Sequence, residues 1–367
     1  MRALFAEIRR SPLLWLLVFV PVLFIADHFR PQSHSLLFVL SILAIVPLAA
    51  LLSHATECVA ARTGDAVGGL LNATLGNLTE LVIAVTALRA GEYMLVKASL
   101  VGAIVTNTLF MLGASFLLGG LKHHTQEYNR VNARVQAGLL FLATIAMLIP
   151  SAIASTESVQ ATAFSQNLSL GLAVVLIIVY GLSMVFSLGT HRELFVSAEP
   201  DKPGTEHDKP WPMTLALIVL AGVTILVALV SEVFVGSVQK AAADFGMTPA
   251  FVGFIVVALV GAAAEMASAF SGACKNRLDL SVGIALGSAS QIALFVAPVL
   301  VLLSYVVGPA PMDLHFWPGA VVMILIATLT AALVTNSGRS AWFVGVLVLV
   351  VYAIFAMSLC LMPPRAH

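Results

Sequence analysis

The sequence predicts an all-α integral membrane protein of about eleven transmembrane helices, N-in and C-out. The helices form two inverted-topology five-helix repeats behind an N-terminal helix. Three observations predict this. Of 367 residues, 60% are hydrophobic and only 10% charged, with a mean hydropathy of +1.03, which leaves too little polar surface to coat a water-soluble domain. Mainly apolar runs of roughly 20 residues, the length that crosses hydrocarbon, recur along the chain. Two segments 185 residues apart also repeat one arrangement of small residues around a glutamate.

Composition also excludes partners. Eighteen Lys and Arg balance eighteen Asp and Glu, so there is no basic excess to neutralise phosphates, and nucleic acid is excluded. Cys58, Cys274 and Cys360 are widely spaced with no CxxC, which gives no disulfide framework, thiolate metal cage or redox pair. No cofactor is expected, and the medium around the chain is the lipid bilayer.

In chain order, the spans bounded by charge, Pro or Gly fall near 12–27, 35–53, 66–89, 93–120, 135–154, 167–188, 212–235, 249–273, 280–305, 315–335 and 341–362. The first is short and follows Arg2, Arg9 and Arg10. Because Asp27–Arg30 and Pro31 follow it with no small-residue cleavage site, it reads as a retained anchor over residues 1–34 rather than a signal peptide. Counting crossings from a cytoplasmic amino terminus puts thirteen of the eighteen basic residues inside, among them Arg62, Lys122, Arg130, Arg134, Arg192, Lys275, Arg277 and Arg339. Arg30, Arg89, Lys97, Lys240 and Arg365 fall outside or at a helix end, so the positive-inside rule selects N-in, C-out. The longest polar stretch, residues 191–212, carries Glu193, Glu199, Asp201, Glu206 and Asp208 among prolines. It reads as a cytoplasmic linker between a first half, 35–190, and a second, 213–367.

An offset of 185 aligns 68–113 with 253–298 without a gap and pairs Gly68/Gly253, Ala73/Ala258, Gly76/Gly261, Glu80/Glu265, Ala84/Ala269, Leu95/Leu280, Gly102/Gly287, Leu109/Leu294 and Phe110/Phe295. Steps of 3, 4 and 4 from Ala73 to Ala84, and of 7 from Leu95 to Leu109, put the matched residues on one face of each helix. Small residues there let two backbones approach closely. The copies are the third and eighth spans, five crossings apart, so they run in opposite directions. Secondary transporters place their site where two such repeats meet near the bilayer midplane, on Gly-interrupted helices. Gly76 and Gly261, each four residues before its glutamate, are the expected helix breaks.

A charged carboxylate at the centre of a membrane helix costs about 2.5–3.5 kcal/mol on insertion scales, so each glutamate must be neutralised. A cation does this, and so does a proton, because desolvation favours the neutral acid. Two facing carboxylates are therefore uncharged with one divalent ion or with two protons, which is what an exchanger requires. Hard oxygen ligands select Ca²⁺ or Mn²⁺ over soft metals, and Ca²⁺ takes 6–8 of them, so amides and hydroxyls must contribute. The repeats offer Asn72, Asn77, Thr106 and Asn107 in the first copy and Ser288, Ser290 and Gln291 in the second. Such residues also commonly just tie membrane helices together. Glu57 and Glu232 each end the span before a repeat; they are candidates for proton relay or for the mouths of the ion path, with a solvated helix-end charge as the alternative.

The stretch Gly68-Gly-Leu-Leu-Asn-Ala-Thr-Leu-Gly-Asn-Leu-Thr-Glu80, then Val96-Lys-Ala-Ser-Leu-Val-Gly102, Asn107 and Ser115-Phe-Leu-Leu-Gly-Gly120, resembles the first α-repeat of the Ca²⁺/H⁺ exchangers, the CAX branch of the Ca²⁺:cation antiporter superfamily. Gly261-Ala-Ala-Ala-Glu265, Lys275-Asn-Arg-Leu-Asp279 and Gly283-Ile-Ala-Leu-Gly-Ser-Ala-Ser-Gln-Ile-Ala-Leu-Phe295 resemble its second. The resemblance runs from about Ala55 to Gly120 and from Ser231 to Pro298. It implies exchange of cytoplasmic Ca²⁺ for protons, with Glu80 and Glu265 as central ligands and proton carriers. It also implies Asn107, Ser288 and Gln291 in support, and it strengthens Glu57 and Glu232 as proton-coupling residues. This chain departs from the family's usual Gly-Asn-Ala-Ala-Glu-His at the second repeat: Ala262 removes an amide and Met266 an imidazole. That leaves Na⁺ or K⁺ exchange on the same fold as an alternative. The family's acidic cytoplasmic helix is only faintly echoed at Glu193–Asp208.

Two further classes compete. A passive cation channel shares the carboxylates without needing inverted broken helices. An intramembrane hydrolase needs a catalytic constellation that the nine histidines, mostly in loops or at span ends and with no HExxH, do not supply. A bacterial inner membrane is the expected location, with a vacuolar membrane as the alternative.

Overall fold

The computed structural model describes residues 4, 7–9, 11–63, 65–153, 159–195 and 211–361. The linker acids Glu199, Asp201, Glu206 and Asp208 lie outside these residues, as do Arg2, Arg10, Lys202, Lys209 and Arg365, which entered the orientation count. In chain order the main helices are α1 (Pro12–Phe29), α2 (His34–Ala60), α3 (Asp65–Leu75), α4 (Leu78–Arg89), α5 (Tyr93–His123), α6 (Arg130–Ala152) and α7 (Ala163–Thr190). The second half supplies α8 (Met213–Asp244), α9 (Pro249–Gly261), α10 (Ala263–Cys274), α11 (Leu278–Val307), α12 (Pro318–Val334) and α13 (Trp342–Cys360).

Among the described residues, eight of these are long and apolar enough to cross a bilayer, or nine if the bent pair α9 and α10 is one span. The run expected at 66–89 is two helices of 11 and 12 residues, α3 and α4. Its counterpart at 249–273 bends by 60° between α9 and α10. α12, at 17 residues, is a shorter apolar helix.

Both breaks fall at the same place in the repeat. Asn77 (φ −96°, ψ 27°) and Ala262 (φ −81°, ψ 6°), 185 residues apart, leave helical geometry for the sparsely populated bridge region, and a new helix starts at the next residue. In the first copy α3 already ends at Leu75, so Gly76 lies in the break with Asn77; in the second the departure comes one residue beyond Gly261. Gly261 closes α9, and its role is proximity: a Cβ there would stand 3.2 Å from both Cγ and Oε1 of Glu80.

A second shared irregularity lies on the next helix of each copy. α5 is wound as a π-helix over Thr106–Met111 and α11 over Ile292–Val296, and the 185-residue offset carries one onto the other. Such widened turns are rare and frequent at functional sites.

The repeats interlock through exchanged contacts. α2 and α8, the first helices of the two copies, lie along each other, with Phe38 and Phe234 stacked at 5.4 Å between ring centres. α4 then rests on α8, and α10 on α2. α5 approaches α9 so closely that a Cβ on Gly102 would lie 2.2 Å from the Phe254 carbonyl oxygen. A short antiparallel pair, β1 (Thr125–Glu127) and β2 (Arg339–Ala341), clips the end of α5 to the start of α13.

Candidate functional site

Glu80 and Glu265 are each the third residue of a half-helix, in the first turn of α4 and of α10. The unpaired backbone N–H groups of a helix N-terminus favour negative charge there. Inside a low-dielectric bundle this holds a carboxylate where a continuous helix would leave it unsupported. Both side chains are partly buried.

Beside Glu265 the structure brings together four of the predicted polar residues, two from each copy. Asn77 Nδ2 donates to Gln291 Oε1 at 2.7 Å, and Ser288 Oγ donates to Asn77 Oδ1 at 2.8 Å. Asn107 Nδ2 donates in turn to Ser288 Oγ at 2.9 Å. Every one of these bonds crosses from one repeat to the other. Asn77, Asn107 and Ser288 are buried. The Ser288 hydroxyl stands beside the Glu265 carboxyl as well.

Two buried oxygens of the cluster, Asn107 Oδ1 and Glu265 Oε2, accept no hydrogen bond from the protein. Leaving such a group unpaired costs about 1–3 kcal/mol, and more for a charged one. The cluster therefore has surplus acceptors and no basic side chain among them, a hard-oxygen donor set of the kind that suits Ca²⁺ or Mn²⁺. Ser290 is turned elsewhere, onto the carbonyls of Gln136 and Leu286, and Thr106 Oγ1 faces the Tyr352 hydroxyl at 3.3 Å. At the position equivalent to Asn77, Ala262 is fully buried and makes no side-chain bond of this kind.

The two glutamates differ in access. Glu265 opens onto a cavity of about 350 Å³ whose walls include Glu57, Asn72, Gly76, Asp279, Ser288 and Gln291. Glu80 borders a pocket of only about 20 Å³, walled mostly by apolar groups such as Ile83, Ala103 and Val257. Glu57 is exposed in the wall of the large cavity, at the end of α2.

Glu232 lies in a separate cavity of about 450 Å³ with Arg89, Glu92 and Gln239, and its carboxylate stands 4.0 Å from the Arg89 guanidinium. At that end of α5 the Lys97–Asp313 ion pair and the Tyr93 hydroxyl, which donates to the Ala310 carbonyl at 2.6 Å, fasten the connection between α11 and α12.

Sequence reasoning missed Asp279, Arg277 and Asn132 as walls of the Glu265 cavity. Asp279 accepts from the Asn129 backbone N–H at 2.9 Å and joins the starts of α6 and α11. The available signal was a charged pair directly after the second broken helix; without a partner in sequence it reads as a solvated helix start.

Residues 33–189 and 215–361 match the sodium/calcium exchanger protein family. The chain belongs to that family. Within it, the chain is 42% identical over 360 residues to a Ca²⁺/H⁺ antiporter of Synechocystis, covering 94% of this chain and 95% of the relative. It is 39% identical over 328 residues to the Ca²⁺/H⁺ antiporter ChaA of Bacillus subtilis, covering 89% and 93%. The solved structure of native YfkE superposes with a TM-score of 0.81 at 35% identity, covering 95% of this chain and 98% of that one. This exchanger-family chain is therefore an integral membrane protein with an antiporter architecture along nearly its whole length.

Proposed function

We propose that the protein is a secondary active transporter that exchanges cytoplasmic Ca²⁺ for protons by alternating access. Glu80 and Glu265 form the shared cation and proton site. The observation that carries this reading is two carboxylates, each on a broken half-helix and within electrostatic reach of one another, beside an oxygen-rich cluster in which two buried acceptors have no donor. One divalent ion or two protons neutralise the pair, and an empty doubly charged site is too costly to pass through the occluded state. The relatives named as Ca²⁺/H⁺ antiporters support the choice of ions.

In this reading the chain crosses the membrane eleven times, N-in and C-out, with each broken pair as one crossing. The Glu265 cavity, with Arg277 and, near the end of α2, Glu57 in its wall, then opens to the cytoplasm. Glu57 serves its mouth, and Glu232 serves the outer side. Asn77, Asn107, Ser288 and Gln291 supply neutral oxygens, Gly76 lies in the first break, and Gly261 permits the close approach of Glu80 to the second.

The test is a transport assay in everted membrane vesicles with a preset ΔpH. Ca²⁺ added outside is expected to collapse ΔpH and accumulate in the lumen; accumulation without proton movement overturns the exchanger reading. Running Mn²⁺, Na⁺ and K⁺ in parallel fixes the ion choice that Ala262 and Met266 leave open.

A further inference from the structure

Beside the cation cavity lies a second chamber that the exchange site does not use. It is a void of about 30 Å³ between α6, α7 and α11. Its walls include Gln136 and Ser290 across from Tyr180, Ser183 and Ser187 of α7. The three α7 residues, at steps of 3 and 4, form one helical face that runs inward from the end of the helix.

Tyr180 is the decisive member. Its ring is stacked on Phe295 at 5.1 Å, it is 6% exposed, and its hydroxyl is buried with no hydrogen-bond partner. A buried unpaired hydroxyl is costly, whereas a polar void larger than about 10–15 Å³ accommodates a water molecule that satisfies it. The same chamber has no carboxylate in its wall, and Ca²⁺ takes 6–8 hard oxygen ligands, so it does not suit the cation.

The chamber and the 350 Å³ cation cavity have two wall residues in common, Phe195 and Gln291. Phe195 follows the end of α7, held by an edge-on contact with Phe186 at 5.8 Å, and Gln291 belongs to the oxygen cluster through Asn77. The two spaces thus adjoin at Phe195 and Gln291, one wide with Glu57, Glu265 and Asp279 in its wall, the other narrow with no acid and with four hydroxyl-bearing residues, Tyr180, Ser183, Ser187 and Ser290, among apolar ones. We propose that the narrow chamber holds water and is a proton access route to the exchange site, separate from the cation route. A proton enters from bulk water near Ser187, passes by hydroxyl and water hydrogen bonds to Tyr180 and the water beside Gln291, and ends on the carboxylate pair; the reverse path returns it. No bond other than O–H is made or broken.

This inference rests on the exchanger reading, and the experiment separates the two. Purified protein in proteoliposomes is assayed for ΔpH-driven Ca²⁺ uptake and, at equal pH on both sides, for ⁴⁵Ca²⁺/Ca²⁺ exchange, which moves no protons. Wild type without ΔpH-driven uptake sinks the exchanger reading itself. With wild type active, Ser183→Leu, which fills the chamber, is expected to slow ΔpH-driven uptake on the order of tenfold while ⁴⁵Ca²⁺/Ca²⁺ exchange stays at the wild-type rate. Tyr180→Phe, which keeps the ring stack and removes only the hydroxyl, is expected to slow the same reaction several-fold. An equal loss in both assays for Tyr180→Phe, or no loss in either variant, overturns the separate proton route.

Discussion

The two repeats present the same face and give it opposite surroundings. In the first copy, Glu80 borders a 20 Å³ pocket, and Gly102 lies so close to α9 that no side chain fits before the Phe254 carbonyl. In the second, Glu265 opens on the 350 Å³ cavity, and the equivalent glycine, Gly287, has nothing within 4 Å of where a Cβ would stand and forms part of that cavity's wall. One sequence pattern thus occurs packed and unpacked within a single molecule. On the alternating-access reading proposed above, the other state of the transporter exchanges the packed and open roles between the copies.

The comparison is broken most severely at the carboxylates. Glu80→Gln and Glu265→Gln each remove one of the two charges that must be balanced, a loss of about 3 kcal/mol of ion binding or more and hence a hundredfold or greater fall in Ca²⁺/H⁺ exchange in vesicles. Both variants are expected to insert and be retained at wild-type levels on a blot. Full exchange by either one removes the central role assigned to it.

The glycine pair sharpens the comparison next. Gly102→Ala forces a Cβ against backbone and is expected to destabilise the detergent-solubilised protein by roughly 1–3 kcal/mol in thermal unfolding. Gly287→Ala meets open space and is expected to stay within about 0.5 kcal/mol of wild type. If the roles exchange during transport, Gly287→Ala nevertheless meets the same overpacking in the opposite state and slows exchange on the order of tenfold. Unchanged turnover in a stable Gly287→Ala protein would show that the second copy never closes as the first has.

A chemical asymmetry lies at the breaks, where Asn77 bonds Gln291 and Ser288 while Ala262 has no amide to offer. Ala262→Asn adds a neutral oxygen to the second copy. It is expected to lower the half-saturating Ca²⁺ concentration several-fold, the equivalent of about 1 kcal/mol, measured as initial ΔpH-driven uptake against Ca²⁺.

The smallest expected effect lies outside the spans. Burial raises the Tyr128 hydroxyl above its usual value of 10, and that hydroxyl donates to the Val334 carbonyl at 3.3 Å. Because the unfolded chain loses this proton first, the contribution is fully present below about pH 10 and is lost as pH rises through the folded value. Tyr128→Phe is expected to flatten the alkaline loss of stability above about pH 10 without changing exchange near neutrality.

Much of the site was legible in the sequence because a membrane makes polar residues conspicuous. Glu80 and Glu265 stand out as acids inside apolar runs at one repeat position, and Asn77, Asn107, Ser288 and Gln291 stand out as the polar groups nearby. What those four residues bond to was not legible, because each partner is about 180 to 215 residues away in the chain. The first break includes Gly76 as placed, whereas the second falls one residue beyond Gly261, a glycine that tolerates close approach without itself unwinding. Thr106 and Ser290 were as conspicuous as Ser288, yet α13 and α6 claim them.

By itself, the sequence determined the membrane class and the two-copy plan of the chain. Burial of backbone polar groups in hydrocarbon demands long apolar helices, and a repeated carboxylate is visible at a fixed offset. Only the tertiary structure decided which glutamate is open, that both copies carry a π-helical turn at the same place, and that a smaller void with Tyr180, Ser183, Ser187 and Ser290 in its wall adjoins the Glu265 cavity. Those features arise from how helices hundreds of residues apart press on one another. Gly102 and Gly287 are the same letter in the same pattern, and only the neighbour that arrives across the bundle makes one tight and the other free.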